Sequence, residues 1–280
     1  MDISFEYFPA KTEQGTANLI RTHQQLMQAK PTFVSVTFGA GGSTQEGTLN
    51  TIIQLQQTGV NAAPHLSCVG ATQDSIAQLL DSYKNQGVNR IVALRGDTPK
   101  DKQTKNSSFC YASDLVQFIR KYSGNHFLIE VAAYPEVHPQ ATSAQQDLQH
   151  FIHKVRCGAD SAITQYFYNP DAFLYFRDQV KREINIPIIP GIMPITNFHQ
   201  LARFSDTCGA EIPRWIRHRL QSFGDDVNAI RSFGFEVVVS MCQNLLKEGV
   251  EGLHFYTLNQ AEATLNILSE MNLKRNFPAN

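Results

Sequence analysis

A chain of 280 residues, 42% hydrophobic and only 18% charged, has the apolar material for a substantial core, which excludes an intrinsically disordered protein. Its 24 Lys and Arg against 25 Asp and Glu leave a formal net charge of -1, so no global field draws nucleic acid or anionic lipid, and any partner is recognised at a local site. No apolar run reaches the roughly 18 residues of a membrane span, and the first strand starts almost at the initiator with no room for a signal peptide, so a cytoplasmic protein is expected.

In chain order, the first β-rich apolar run covers residues 3–8 and contains Ser4-Phe5-Glu6-Tyr7-Phe8-Pro9. Glu6 is an acid between aromatic residues at a strand end, a setting that raises a carboxyl pKa towards neutrality and suits a general acid; a solvated rim carboxylate is the plainer alternative. The second run, 33–38, leads into Gly39-Ala40-Gly41-Gly42-Ser43-Thr44. Backbone N–H groups there could cradle an anion, or the glycines could simply make a tight turn. Thr44 breaks the GxGxxG pattern, and Ser43 with Glu46 fits a capping box.

The third run is 62–66, followed by a helical stripe of Ile76, Leu79, Leu80 and Tyr83. The fourth, 90–94, runs into Arg95-Gly96-Asp97, where glycine permits close approach of a flat ligand and where Arg95 and Asp97 could equally form a mere salt bridge. A helix striped by Leu115, Phe118, Ile119 and Tyr122 precedes the fifth run, 127–133. Ser143 with Gln146 caps the next helix, striped by Leu148, Phe151, Ile152 and Val155. The sixth run, 162–167, is followed by Asn169-Pro170, an N-cap before a proline at the first helical position. The seventh is 186–190 and the eighth 252–256. The long interval between these two is predicted to hold a helix near 197–207, an inserted short helix at 213–223 and a long helix at about 225–247.

Strand ends recur every 25 to 38 residues up to the seventh, the length of one βα unit. Strands apolar on both faces and joined through helices imply a parallel sheet. Eight such units without a linker imply a closed (β/α)8 TIM barrel, a single domain over residues 1–280 with an extra helix between strands 7 and 8; a doubly wound open sheet is the runner-up. The tail after Met271 is expected to fray. Cys68, Cys110, Cys157, Cys208 and Cys242 are at least 34 residues apart, which excludes a CxxC pair or a zinc knot and predicts separate reduced thiols, mostly in the core.

Barrel enzymes work at the C-terminal ends of their strands, and polar residues concentrate there: Glu6, Thr37, His65, Arg95, Asp97, Tyr134, Glu136, His138, Gln165, His254 and Tyr256. The strand interiors read as almost free of polar groups. No strand-end lysine supports a Schiff-base aldolase, and HExxH and GxSxG are absent. His65, His138 and His254, on three strands, leave a metal-assisted hydrolase conceivable although no local spacing supports it.

Nine stretches together resemble the flavin-dependent 5,10-methylenetetrahydrofolate reductases in their short bacterial form. They are Ser4-Phe-Glu-Tyr-Phe-Pro9, Phe33-Val-Ser-Val-Thr-Phe-Gly39, Ala63-Pro-His-Leu66, Ala93-Leu-Arg-Gly-Asp97, Tyr111-Ala-Ser-Asp114, Ala132-Ala-Tyr-Pro-Glu-Val-His-Pro139, Ile163-Thr-Gln-Tyr-Phe167, Pro190-Gly-Ile-Met-Pro194 and His254-Phe-Tyr-Thr-Leu-Asn259, in the family's order. The resemblance implies a barrel that binds FAD tightly and non-covalently without a Rossmann motif. It also implies a ping-pong reaction in which NADH or NADPH reduces FAD, leaves, and is replaced by methylenetetrahydrofolate, yielding the 5-methyltetrahydrofolate used in methionine synthesis. A homo-oligomer is implied as well, while no resident metal, nucleic-acid partner or membrane partner is expected.

On matching positions, the resemblance makes Glu6 the acid that protonates N10 of the folate, and Asp97 a catalytic neighbour of flavin and pterin. Gln165 would contact pterin or nicotinamide, Phe204 would stack on either, and Thr37, Gln200 and Tyr256 would complete the shared substrate face. For FAD it implies Phe38, Ala40, His65, Arg95, Gly96, Asp97, Tyr111, Ala112, Tyr134 and His138, with Asp147 at the ribose and Lys154 at the pyrophosphate. His150 and His153 stand where other bacterial members carry Asn and Arg, which predicts a lower, pH-dependent charge facing the phosphates, and Gln260 replaces an arginine that helps hold the folate. The sequence starts almost at Glu6, without the N-terminal extension of those members, and the S-adenosylmethionine-binding regulatory domain of eukaryotic ones is not expected, so no feedback by that ligand is expected within this chain. A noncatalytic flavin- or folate-binding barrel is the rival outside enzyme chemistry.

Overall fold

The computed structural model describes residues 1–38, 45–97 and 107–271. The glycine-rich stretch 39–44, with Ala40 and the Ser43–Glu46 capping box, lies outside the described residues. The elements alternate as predicted: β1 (Asp2–Tyr7), α1 (Glu13–Leu26), β2 (Phe33–Val36), α2 (Gln45–Gln56), β3 (Ala62–Ser67), α3 (Gln73–Asn85), β4 (Arg90–Leu94), α4 (Ala112–Ser123), β5 (Leu128–Ala133), α5 (Ala144–Arg156), β6 (Ser161–Thr164) and α6 (Pro170–Lys181). The second part runs β7 (Ile188–Ile189), β8 (Gly191–Ile192), α7 (Phe198–Cys208), α8 (Arg214–Ser222), α9 (Val227–Lys247), β9 (Gly252–Tyr256) and α10 (Glu262–Glu270). All strand pairs are parallel, in the order β7-β6-β5-β4-β3-β2-β1-β9-β8. This is a nearly closed α/β barrel ringed by helices.

The ring closes at its seventh position, where the sequence predicts one strand and the structure has two short ones. Pro190 is the cause: it has no N–H for a ladder, so β7 pairs with β6, and β8, after the break, pairs with β9. The seam is stitched by other groups. Pro190 O accepts from His254 N at 3.0 Å, Gly191 N donates to Thr164 Oγ1 at 2.9 Å, and Tyr256 Oη donates to Thr164 O at 2.7 Å. A Cβ at residue 191 would lie 2.1 Å from Thr164 O, so glycine is what lets β8 sit this close to β6.

Strand alternation sorts the side chains into two layers. Phe5 and Tyr7 of β1 face outward into the core shared with the helices, where Ile76 and Leu80 of α3 and Leu115 and Ile119 of α4 are also buried. Tyr122, predicted to complete the α4 stripe, is 43% exposed, stacks on Phe118 and donates to Asp81. Inside the barrel Phe33, Ala63, Val92 and Ile163 form a small apolar plug. The interior is otherwise more polar than predicted: Ser4, Ser35, Glu130 and His254 are all buried. The sequence reading missed this because Ser4, Glu130 and His254 are tolerated through partners contributed by other strands. Glu130, for example, pairs with Arg90 and accepts from Ser161, while Arg90 lies 4.4 Å from the Phe33 ring centroid.

Two helix starts follow the predicted caps. Asn169 accepts from Asp171 N ahead of Pro170, and Ser143 accepts from Gln146 N, although the Gln146 side chain turns to Thr142 instead of closing the box. The thiols are unpaired as predicted, but only Cys68 and Cys242 lie in the core; Cys110 is exposed, and Cys157 and Cys208 are half-buried at helix ends. Among the described residues no helix is long and apolar enough to cross a membrane.

Candidate functional site at the strand ends

Glu6 stands at the mouth of the barrel with its side chain 20% exposed. Its environment is not the aromatic one that its sequence neighbours suggest, because Phe5 and Tyr7 point to the other face of the strand. It meets imidazoles: His65 Nε2 of β3 lies 3.4 Å from Glu6 Oε2, and His254 Nε2 of β9 lies 3.9 Å from the same oxygen. Burial lowers the pKa of His65 below the ordinary imidazole value, opposed by the Glu6 charge, so His65 is neutral at physiological pH. His254 is fully buried, shares a 2.7 Å hydrogen bond between Nδ1 and Ser4 Oγ, and stacks on Phe33. Its Nε2, together with Ser35 Oγ of β2 and Thr37 Oγ1 just past that strand, has no hydrogen-bond partner among the described residues.

A second group of predicted residues gathers over β4 and β5. After β4, Gly96 has φ of 86°, and a Cβ there would lie 1.9 Å from Ser67 Oγ. Arg95 reaches Gln140 Oε1 at 2.7 Å, and Asp97 is exposed. After β5, the Tyr134 and His138 rings meet edge to face at 4.5 Å. His138 N donates to Asp147 Oδ2 at 2.9 Å, and His138 Nδ1 accepts from Gln140 N, which places the neutral ring's proton on Nε2. Lys154, two turns further along α5, donates to Ala132 O at 2.5 Å; burial pulls its ammonium down to about 8, against the opposing charge of Asp147. His150 and His153 lie on the exposed side of α5, where His153 Nε2 is 3.8 Å from Cys157 Sγ. Tyr111 is 63% exposed and Ala112 opens α4 beside it.

The third group surrounds β6. Gln165 Oε1 accepts from Tyr166 N, and Tyr166 Oη is 3.0 Å from Ser205 Oγ and 3.5 Å from Cys208 Sγ, which fixes the inner side of α7. Gln200 and Phe204 are half-buried on α7, and Phe38 and Thr37 are half-buried past β2. Tyr256 has its hydroxyl committed to the seam, leaving its ring at the mouth beside His254. A small recess next to it is lined by Thr196, Thr257, Gln260 and Thr264. Glu136, to which the sequence assigns no role, shares another recess with Tyr134, Gln165, Tyr166 and Cys208.

The structure thus brings the predicted residues into three adjoining groups at one end of the barrel and adds Ser4, Ser35 and Tyr166 to them. Ser4 was findable: two residues before Glu6 on a strand, it must share Glu6's face. The three histidines of the metal reading separate, His65 and His254 at Glu6 and His138 at Tyr134. Among the described residues no cluster of His, Cys, Asp or Glu could hold a metal ion.

The sequence profile described as "Methylenetetrahydrofolate reductase" matches residues 1–272. The 5,10-methylenetetrahydrofolate reductase of Escherichia coli K12 is 40% identical over 276 residues, covering 98% of this chain and 92% of the relative. Methylenetetrahydrofolate reductase (NADH) 1 of Arabidopsis thaliana is 37% identical over 284 residues, covering 96% of this chain and 48% of the plant protein. Among solved structures, an uncharacterised Clostridium thermocellum protein that binds two copies of 5-methyl-5,6,7,8-tetrahydrofolic acid superposes with a TM-score of 0.71 at 16% identity, covering 96% of this chain and 94% of that one. At that identity the likeness concerns the fold.

Proposed function

Since the chain belongs to the methylenetetrahydrofolate reductase family, oxidoreductases of folate one-carbon metabolism, we propose that it reduces 5,10-methylenetetrahydrofolate to 5-methyltetrahydrofolate with FAD as cofactor and NADH or NADPH as donor. The two substrates use one face in turn, and the product feeds methionine synthesis. The name of the plant relative favours NADH. The resemblance to short bacterial reductases extends the proposal to a homo-oligomer working in the cytoplasm.

The residues over β4 and β5 fit FAD. A buried ammonium at Lys154 and the Arg95 guanidinium suit the pyrophosphate, Asp147 suits a ribose hydroxyl, and Tyr134, His138 and exposed Tyr111 offer ring faces. Phe38, Ala112, His65 and the side-chain-free surface of Gly96 complete the holding set, Gly96 allowing a flat ring system to approach the backbone. FAD, when bound, supplies reversible hydride exchange, which no side chain here provides.

The chain's own residues supply the rest. Glu6 holds a proton at its carboxyl and delivers it to N10 of the folate as the bond between N10 and the methylene carbon breaks. That bond's electron pair leaves with N10, the N5 lone pair forms a double bond to the methylene carbon, and the resulting cation is the hydride acceptor. Neutral His65 and the Ser4-bonded His254 orient the Glu6 carboxyl from two sides. Asp97, Gln165, Thr37, Gln200 and Phe204 hold whichever substrate occupies the face.

The observation that carries this reading is the position of Glu6, a mouth-facing carboxyl between two imidazoles on β1, β3 and β9. Glu6→Gln is expected to leave reduction of the flavin by the nicotinamide intact while slowing folate reduction by roughly 10²–10⁴-fold, the usual contribution of a general acid. Anaerobic stopped-flow of the two half-reactions separates them, and equal loss in both would reject the role.

A further inference from the structure

The loop leaving β5 and the segment leaving α7 are fastened together. Glu136 Oε2 accepts a hydrogen bond from the backbone N–H of Glu211 at 2.8 Å, and Gly209 approaches Pro139 so closely that an added Cβ would lie 3.2 Å from the proline ring. Between these two contacts Val137 holds φ of 72°, a left-handed conformation that a β-branched residue adopts only where its surroundings impose it. The other carboxyl oxygen, Glu136 Oε1, is buried with no hydrogen-bond partner among the described residues. An ionised oxygen in that position would be poorly solvated, whereas a neutral acid places a proton there. Tyr166 holds the inner side of α7 through Ser205 and Cys208, and the Glu136 contact holds the segment that leaves the helix, at Glu211.

We propose that Glu136 is a positioning residue: in its neutral form it ties the end of α7 to the β5 loop and so sets how Phe204 and Gln200 stand over the face that Tyr134 and His138 flank. This rests on the reductase reading, under which the side chains of α7 meet substrate. The titratable groups around Glu136 are Tyr134 on its own loop, Tyr166 after β6, Cys208 at the end of α7 and Glu211 beyond it. Burial, with the Glu211 charge, pushes the Glu136 carboxyl up to about 7, against the opposing Glu211 N–H. The folded chain therefore binds this proton more tightly than the unfolded one. The stability it contributes is greatest at acid pH and is lost as pH rises from the ordinary carboxylate range to about 7. Above that pH the tie carries a buried charge facing Glu211 and loosens.

Glu136→Gln keeps an acceptor for Glu211 N–H and puts a neutral donor where the acid holds its proton; Glu136→Leu removes both. Amide hydrogen exchange of residues 209–213 in the full-length protein, corrected for intrinsic rates, reads the tie directly. In the wild type, protection is expected to fall as pH rises from the ordinary carboxylate range to about 7 and to level off above it, and KM for the substrates to rise over the same interval with kcat little changed. Glu136→Gln should hold both constant with pH, and Glu136→Leu should exchange fast and show a raised KM throughout. The proposal is overturned if Glu136→Gln titrates as the wild type does, or if Glu136→Leu keeps its protection. Failure of the reductase reading would look different: the wild type would not turn over methylenetetrahydrofolate, while the exchange measurement would still decide the tie.

Discussion

Under the proposed FAD reading, Lys154 is the side chain through which charge most directly governs cofactor binding. Its pKa, lowered to about 8 by burial, means that the folded chain without an anion prefers to lose this proton. The sign follows: the cation is disfavoured in the fold, so the stability linked to its loss is present above the ordinary lysine pKa and disappears as pH falls through about 8. A pyrophosphate beside it reverses the preference. FAD affinity is therefore expected to weaken as pH rises through about 8, and Lys154→Met to bind FAD roughly 10- to 100-fold more weakly with a flatter pH profile, a charge-assisted hydrogen bond being worth about 1.5–3 kcal/mol. Flavin release on dialysis at several pH values, or titration of the apoprotein by fluorescence, measures both. At this scale the sequence showed which residue types cluster but not what they touch. Glu6 was legible as a candidate acid; that its neighbours are His65 and His254 depends on contacts from strands about 60 and 250 residues away. The pairing of Glu136 with Glu211, 75 residues apart, was invisible for the same reason.

Among the elements, the split seventh strand carries most of the closure of the barrel. Its two halves are only two residues each, and Thr164, Tyr256 and Gly191 take over where Pro190 cannot pair. Gly191→Ala forces a methyl group against Thr164 O and the Tyr256 ring, so it should cost about 1–3 kcal/mol, as overpacking in cores does. A thermal melt is expected to shift down by several degrees, and because Tyr256 moves with the seam, activity should fall too; an unchanged melting temperature would mean the seam relaxes freely. Helices were the easiest elements to read, since a stripe such as Ile76, Leu80 and Tyr83 and a cap such as Asn169-Pro170 are local signals. The break at Pro190 was half legible: a proline inside an apolar run announces an interruption, but which neighbour each half joins is decided by the curvature of the whole ring.

At the scale of the molecule, recurrence of a βα unit about every 30 residues made the barrel readable from sequence. The polar residues were also readable as a set, because strand ends in such a barrel all open at one mouth. The interior polarity was not, since Ser4, Glu130 and His254 look like isolated intrusions until the ring closes and pairs them. Under the proposed function, a near-neutral chain concentrates its chemistry in this mouth, with the β4 and β5 side taking an anionic aromatic cofactor and the adjoining β6 and α7 side the alternating substrates. The central claim is that both substrates exchange a hydride at this one face. It is tested most directly by adding NADH or NADPH to the FAD-loaded protein without oxygen and then adding methylenetetrahydrofolate. The account predicts that the nicotinamide bleaches the flavin absorbance and that methylenetetrahydrofolate restores it, forming one 5-methyltetrahydrofolate per flavin; a bleached flavin that methylenetetrahydrofolate leaves reduced, or a chain that takes up no FAD, would contradict it.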